Sequence, residues 1–227
     1  MIYLTGDTHA LIDYDKIPAW LAWNSSVTRE DYLIVAGDFA GVMTRGELDS
    51  LLSLYADLPV TVLFVDGNHE NFDLLDGFPE REAFGGRVGV LSENVLHLKR
   101  GELYEIEGKR IFTFGGGTSI DKYRREEGVS WWARELPTDA ELQHAKKTLE
   151  GAGHIDLIVT HSCPSRALSA MAPYLYSAKL EVFRDNEVLE EIASLADFDK
   201  WYFGHYHIDL ALDSQFTAVY RDFYEIL

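Results

Sequence analysis

Residues 2–9 read Ile2-Tyr3-Leu4-Thr5-Gly6-Asp7-Thr8-His9, a short apolar run that leads through glycine to two side chains able to hold a metal. The arrangement recurs along the chain. Tyr32-Leu33-Ile34-Val35-Ala36-Gly37 leads to Asp38, Val62-Leu63-Phe64-Val65-Asp66-Gly67 to Asn68, Ile155-Asp156-Leu157-Ile158-Val159-Thr160 to His161, and Trp201-Tyr202-Phe203-Gly204 to His205 and His207. Such runs read as strands buried on both faces, and open α/β sheets bind their ligands just beyond the carboxyl ends of the strands. Side chains far apart in sequence are therefore expected to meet in one site.

A chain of 227 residues, 47% apolar and 13% aromatic, carries enough apolar surface for one large core, so residues 1–227 are expected to form a single domain. Cys163 is the lone cysteine, which excludes an internal disulfide. With no charged and apolar leader at Met1, this points to a reducing cytoplasm. No run reaches the ~18 apolar residues that span a bilayer, so no membrane partner is expected. The formal net charge is −18, from 20 Lys and Arg against 38 Asp and Glu, with no basic run longer than Arg124-Arg125 or Lys146-Lys147. A protein that holds a nucleic acid polymer by its phosphates shows a basic stripe, so that partner is disfavoured. Small phosphorylated substrates stay open, because two divalent ions in a pocket bring four positive charges whatever the surface carries.

The first third alternates strand and helix. A short apolar helix is expected over Ile17 to Trp23, and Leu48, Leu51, Leu52 and Tyr55 recur at helical spacing within Gly46 to Tyr55. This is a βαβαβ opening. From Arg87 to Phe114 the period shortens. Val88-Gly89-Val90, Val95-Leu96-His97-Leu98, Glu102-Leu103-Tyr104-Glu105-Ile106 and Arg110-Ile111-Phe112-Thr113-Phe114 read as antiparallel strands joined by turns. Helices over Asp139 to Leu149 and Val182 to Leu195 flank the His161 strand, so the fold class is α/β.

Asp7, His9, Asp38, Asn68, His161, His205 and His207 supply two carboxylates, one amide oxygen and four imidazoles. That mixed set suits Mn, Fe, Co or Zn better than Ca or Mg. Seven ligands exceed the needs of one ion. If Asp38 bridges, each of two ions receives about four protein ligands and keeps room for water, the arrangement in which metals ~3.5–4 Å apart clamp a phosphoryl group.

Gly6-Asp7-Thr8-His9, Gly37-Asp38, Gly67-Asn68-His69-Glu70, His161 and Gly204-His205-Tyr206-His207 resemble, in order, the five signature blocks of the calcineurin-like metallophosphoesterase superfamily. The chain is most similar to the small stand-alone bacterial and phage members. The resemblance implies that Asp7, His9 and His207 hold one divalent ion, that Asn68, His161 and His205 hold a second, and that Asp38 joins them. Mn2+ is the expected metal, with Fe, Zn and Co as the alternatives. The resemblance also implies two packed mixed β-sheets, a β-sandwich flanked by α-helices in four layers. It implies hydrolysis of a phosphomonoester or phosphodiester by a metal-bridging hydroxide, with His69 as proton donor to the leaving oxygen and a pKa near working pH.

Each residue also has a plainer reading. An Asp after an apolar run and glycine serves as a turn residue or helix cap, and His69 as a group supporting the ligands. His97, His144 and His154 lie outside the blocks and read as ordinary histidines, and Cys163 as packing under the His161 loop. The stretch Gly115-Gly116-Gly117-Thr118-Ser119-Ile120-Asp121-Lys122-Tyr123-Arg124-Arg125, with Trp131-Trp132 after it, reads either as a substrate rim or as a loop packed on the core. Arg124, Arg125 and Tyr123 are its candidate substrate contacts. The protein Ser/Thr phosphatase branch carries an Asp-Arg pair after the second block and an Arg before the third. Here Asp38 leads into Phe39-Ala40-Gly41 and Asp66 precedes Gly67, so the preferred substrate is a small phosphoester, with nucleotides among the candidate classes. A non-catalytic interaction scaffold on the same fold, a nuclease and a protein phosphatase are the alternatives.

Overall fold

The computed structural model describes residues 1–175 and 181–226. The first sheet holds β1 (Ile2–Thr5), β2 (Tyr32–Val35), β3 (Thr61–Phe64), β4 (Glu80–Ala83), β5 (Gly86–Ser92), β6 (Val95–Leu98) and β13 (Tyr224–Ile226), in the order β13-β1-β2-β3-β6-β5-β4. The second holds β7 (Glu102–Ile106), β8 (Lys109–Phe114), β9 (His154–Thr160), β10 (Asp197–Phe203), β11 (Leu210–Ala211) and β12 (Phe216–Ala218), in the order β11-β12-β10-β9-β8-β7. Both sheets are mixed. Their central strands are parallel, β1-β2-β3-β6 in one and β12-β10-β9-β8 in the other, and antiparallel strands close the edges.

Alternation along each strand builds the layers. In β2, Ile34 turns toward the second sheet while Leu33 and Val35 turn outward, and in β3 Leu63 faces inward while Val62 and Phe64 face outward. Leu157 and Val159 of β9 meet the inward residues from the other side. The outer face of the first sheet packs under α1 (Lys16–Trp23) and α2 (Arg45–Ala56), with α3 (Phe72–Leu75) at its edge. That of the second packs under α4 (Asp139–Glu150), α5 (Ser165–Met171) and α6 (Arg184–Leu195). The α/β, four-layered sandwich is thus the observed fold.

Local chemistry sets the helix starts. Thr44 and Glu47 form a reciprocal capping box ahead of α2, whose buried face is Leu48, Leu51, Leu52 and Tyr55, and Thr138 and Glu141 do the same for α4. Among the described residues no helix is long and apolar enough to cross a membrane.

The stretch from Arg87 to Phe114 differs from its expected form. β5 pairs antiparallel with β6 and β7 with β8, but the chain changes sheet between β6 and β7, and β6 and β8 lie parallel to β3 and β9. The alternating pattern specifies hairpins and is blind to the next neighbour. The crossing is anchored by the buried Arg100, whose guanidinium binds Asp66 at 2.9 and 2.6 Å.

This topology aligns the carboxyl ends of β1, β2, β3, β9 and β10, the strands that precede the ligand candidates. Leu63, fully buried between the sheets, measures how firmly they are held. Leu63→Ala should lower the unfolding free energy by about 2–5 kcal/mol in urea titration. A loss below about 1 kcal/mol would show that the interface between the sheets repacks freely.

Candidate metal centre

Close approach of backbones brings the strand ends together. Gly37 stands at φ +93°, and a Cβ there would lie 2.0 Å from His161 Nδ1, so only glycine lets the β2 end and the β9 end meet. The ligand candidates themselves are bent. His9 (φ 41°), Asp38 (46°), His205 (69°) and His207 (51°) all occupy the left-handed region, which costs a non-glycine residue about 1–3 kcal/mol each. The Asp38 carbonyl holds the first turn by accepting from the backbone N–H of Thr8 at 3.1 Å and of His9 at 2.7 Å.

The predicted residues converge in two overlapping groups. Asp7, His9 and His207 place their ligand atoms within 4.8 Å of one another, as do Asp7, Asp38 and His161. His207 Nε2 lies 3.2 Å from Asp7 Oδ2, and His9 Nε2 lies 3.4 Å from Asp38 Oδ2. His161 Nε2 lies 3.0 Å from Asn68 Oδ1, 3.2 Å from His205 Nδ1 and 3.4 Å from Asp38 Oδ2. Asp38 therefore touches both sides. Asp7 also reaches His161 Nδ1 at 3.4 Å, so it stands nearer the middle of the cluster than the sequence suggested.

The donor set answers whether a cation fits. His161 Nδ1 lies 3.0 Å from the Ala36 carbonyl, which can only accept, so this nitrogen carries the proton and Nε2 of the neutral ring presents a lone pair. Asn68 donates through Nδ2 to Ser119 Oγ at 3.0 Å, so its Oδ1 is an acceptor too. Lone pairs of His161, His205, Asn68 and Asp38 thus face one another and need a positive charge among them. In the protein alone that charge is a proton. Burial disfavours an imidazolium at His161, but the Asp38 and Asp7 carboxylates raise its pKa well above the ordinary value. Burial likewise opposes ionisation of Asp7 and Asp38, and the imidazoles around them hold both well below the usual carboxylate range. His205, buried beside the His161 charge, is pushed down to about 4. A divalent cation would replace the proton and satisfy every donor, so the residues fit the group.

Further side chains to which the sequence reading gave no role support the candidate ligands. Asp13 binds His9 Nδ1 at 2.9 Å and directs Nε2 into the cluster. Lys16 Nζ binds the carbonyls of Gly6 and Asp7 at 2.9 and 2.8 Å. Glu70 accepts from the N–H groups of Phe39 and Ala40, and burial with the nearby Asp38 charge raises its pKa to about 8. Such supports have no local signature. Only the i, i+4 spacing of His9 and Asp13 hinted at one.

His69 donates its backbone N–H to Asp38 Oδ1 at 2.7 Å, and its Nδ1 lies 2.9 Å from Arg125 Nη1. Burial and the Arg125 charge lower its pKa below the ordinary histidine value. The substrate candidates separate. Arg125 lines a cleft of about 820 Å3 together with Asp38, Asn68, His69, His205 and His207. Arg124 and Tyr123 stand exposed outside that lining, the guanidinium 5.1 Å over the Tyr123 ring, because a 3-10 turn over Lys122–Arg124 sends successive residues to different sides. A second, mainly apolar recess of about 460 Å3 lies beyond His69 and Arg125, lined by Leu11, Ile12, Val42 and Met43. Trp132 is buried, with Nε1 on Asp73 at 2.9 Å, so it packs the loop down. Cys163 is buried in the outer core of the second sheet. His97, expected to be ordinary, is buried with Nε2 3.1 Å from Asp66 and stacks on Phe64.

A family model described as calcineurin-like phosphoesterase matches residues 1–209. No curated protein matches the chain. The solved structure of TT1561 from Thermus thermophilus superposes with a TM-score of 0.53 over 96% of this chain and 87% of that one, at 12% identity. Phosphopantetheinyl hydrolase (PptH) from Mycobacterium tuberculosis aligns over 96% of this chain and 89% of its own at 17% identity, with a TM-score of 0.47. The likeness to TT1561 concerns the fold.

The ligand pKa values set the pH response of the metal-free protein. Burial would lower the His9 pKa, but Asp38, Asp7 and Asp13 raise it to about 9, and His161 moves the same way. A folded pKa above the unfolded one gives stability that is complete below the unfolded value near 6.5 and is lost as pH rises toward the folded value. Glu70 adds a loss of the same sign up to about pH 8. With EDTA, the melting temperature should therefore fall between about pH 6.5 and about pH 8. Added Mn2+ should raise it more at the upper end of that window than at the lower, because the metal competes with those protons. A melting temperature that rises with pH in EDTA would contradict this charge arrangement.

Proposed function

The chain belongs to the calcineurin-like phosphoesterase family and is a metal-dependent phosphoric ester hydrolase, and we propose that it cleaves a small phosphodiester or phosphomonoester with two bound divalent ions. Asp7, His9 and His207 would hold one ion, Asn68, His161 and His205 the other, with Asp38 shared between them. The observation that carries this reading is the pair of overlapping ligand groups, Asp7 with His9 and His207 and Asp7 with Asp38 and His161, the latter with Asn68 Oδ1 and His205 Nδ1 against His161 Nε2. Imidazole, carboxylate and amide donors together suit Mn, Fe, Co or Zn, and Mn2+ is the ion proposed. When bound, such ions lower the pKa of water and neutralise charge on the phosphoryl oxygens.

The remaining work falls to His69 and Arg125. Because a guanidinium only donates, Arg125 keeps His69 Nδ1 an acceptor and the ring neutral. Phosphoryl oxygens of a substrate compete for the same guanidinium. Once Arg125 turns to them, His69 can take up a proton and deliver it to the leaving oxygen. The recesses on either side of this pair leave room for two ester arms, which favours a diester.

The test is hydrolysis of p-nitrophenyl phosphate and bis-p-nitrophenyl phosphate by metal-free protein reloaded with Mn2+. Turnover should be faster on the diester and abolished by Asp38→Asn. His69→Ala should lower kcat by about 10²–10⁴. Arg125→Ala should raise KM, while Arg124→Ala should leave both constants unchanged. An inert protein that binds no Mn2+ would favour the scaffold reading, and cleavage of single-stranded nucleic acid lost in His69→Ala would favour a nuclease.

A further inference from the structure

The segment from Gly115 to Glu135 supplies none of the seven ligands, yet it grips Asn68 and His69. We propose that Ser119 and Glu135 are positioning residues that set the Asn68 amide with its oxygen, not its nitrogen, toward the second ion; this deepens the reading above and rests on it. The two ends of a carboxamide are nearly the same size, so shape alone does not choose between them and the hydrogen-bond partners do. Asn68 Nδ2 donates to Ser119 Oγ at 3.0 Å. Ser119 in turn donates its hydroxyl proton to Glu135 Oε2 at 2.6 Å, and its backbone N–H donates to Glu135 Oε1 at 2.9 Å. A hydroxyl has a single proton. With that proton committed to Glu135, Ser119 can only accept from Asn68, which turns the amide nitrogen away from the cluster and leaves Oδ1 facing His161 Nε2.

The relay is dry and rigid. Asn68, Ser119 and Glu135 are 4%, 2% and 0% exposed, so water does not substitute for any link. The Glu135 carbonyl accepts from Gly117 N–H at 3.1 Å and from Arg100 Nη2 at 3.3 Å, and Arg100 is itself clamped on Asp66. The same loop walls the proposed second ion: a Cβ at Gly117 would lie 3.1 Å from the His161 ring and 3.5 Å from both Asn68 Oδ1 and the His205 ring. The glycine-rich stretch, Ser119 and Glu135 thus form one device that builds the second half of the centre.

Glu135→Gln separates this role from simple packing. A carboxamide of the same size can donate to Ser119 Oγ, turn the hydroxyl proton toward Asn68, and so reverse the amide. Metal-free full-length wild type, Glu135→Gln and Ser119→Ala are titrated with Mn2+ by electron paramagnetic resonance, with melting temperatures taken in EDTA. Wild type should bind two ions. In each variant one binding step should weaken by about 10–100-fold while the other stays within about twofold. Glu135→Gln should keep the wild-type melting temperature in EDTA. The proposal is overturned if folded Glu135→Gln retains both affinities, or if both steps weaken equally with a lowered melting temperature. A wild type that binds fewer than two ions overturns the proposed function and this inference with it.

Discussion

Two buried carboxylates, Asp7 and Asp38, at 0% and 1% exposure, impose the constraint from which the rest of the molecule follows. Ionised carboxylates are tolerated in a dry interior only when positive charge and hydrogen-bond donors surround them. Here the partners are imidazoles from three different loops and the backbone N–H groups of His69 and His205. The sandwich exists in a form that delivers those partners: parallel strands from both sheets end at the same edge, and left-handed residues turn the side chains back across it. The strain at His9, Asp38, His205 and His207 is stored where the charges converge.

That concentration of charge links fold to chemistry. A cluster whose lone pairs face each other is poorly satisfied by protons, which neutralise one nitrogen at a time, and well satisfied by divalent ions that address several donors at once. The same electrostatics reach His69. It sits beside Asp38 yet is kept neutral by burial and by Arg125, so its acidity is tied to where one guanidinium points. The overall charge of −18 gives little help to an anionic substrate, so in the proposed function the local positive charge of Arg125 and of bound ions would be the deciding attraction.

Much of the candidate ligand set was legible because each member follows an apolar run that reads as a buried strand, and most follow a glycine whose missing Cβ lets two strand ends touch. Asp7, Asp38, Asn68, His161 and His205 announce themselves in this way, and His9 and His207 ride two residues further on. The four-layer class was legible from the same runs together with the family resemblance. The sheet change between β6 and β7 was not, since an alternating run records which face is buried and not which strand lies beside it. Ser119, Glu135 and Lys16 stayed hidden because they act through another residue and nothing near them in sequence marks the contact, while Asp13 offered only its i, i+4 spacing from His9. Arg124 and Arg125 were indistinguishable for a different reason: adjacent in sequence, they part only when a 3-10 turn sends one toward His69 and the other to the surface.

The central claim, that these seven side chains hold a pair of cations sharing Asp38, is tested most directly by anomalous diffraction at the manganese edge from crystals grown with Mn2+. Two peaks ~3.5–4 Å apart on either side of the Asp38 carboxylate, one against His9 and His207 and one against His161 and His205, are the predicted result. A single peak, or none at this cluster under saturating Mn2+, would contradict it.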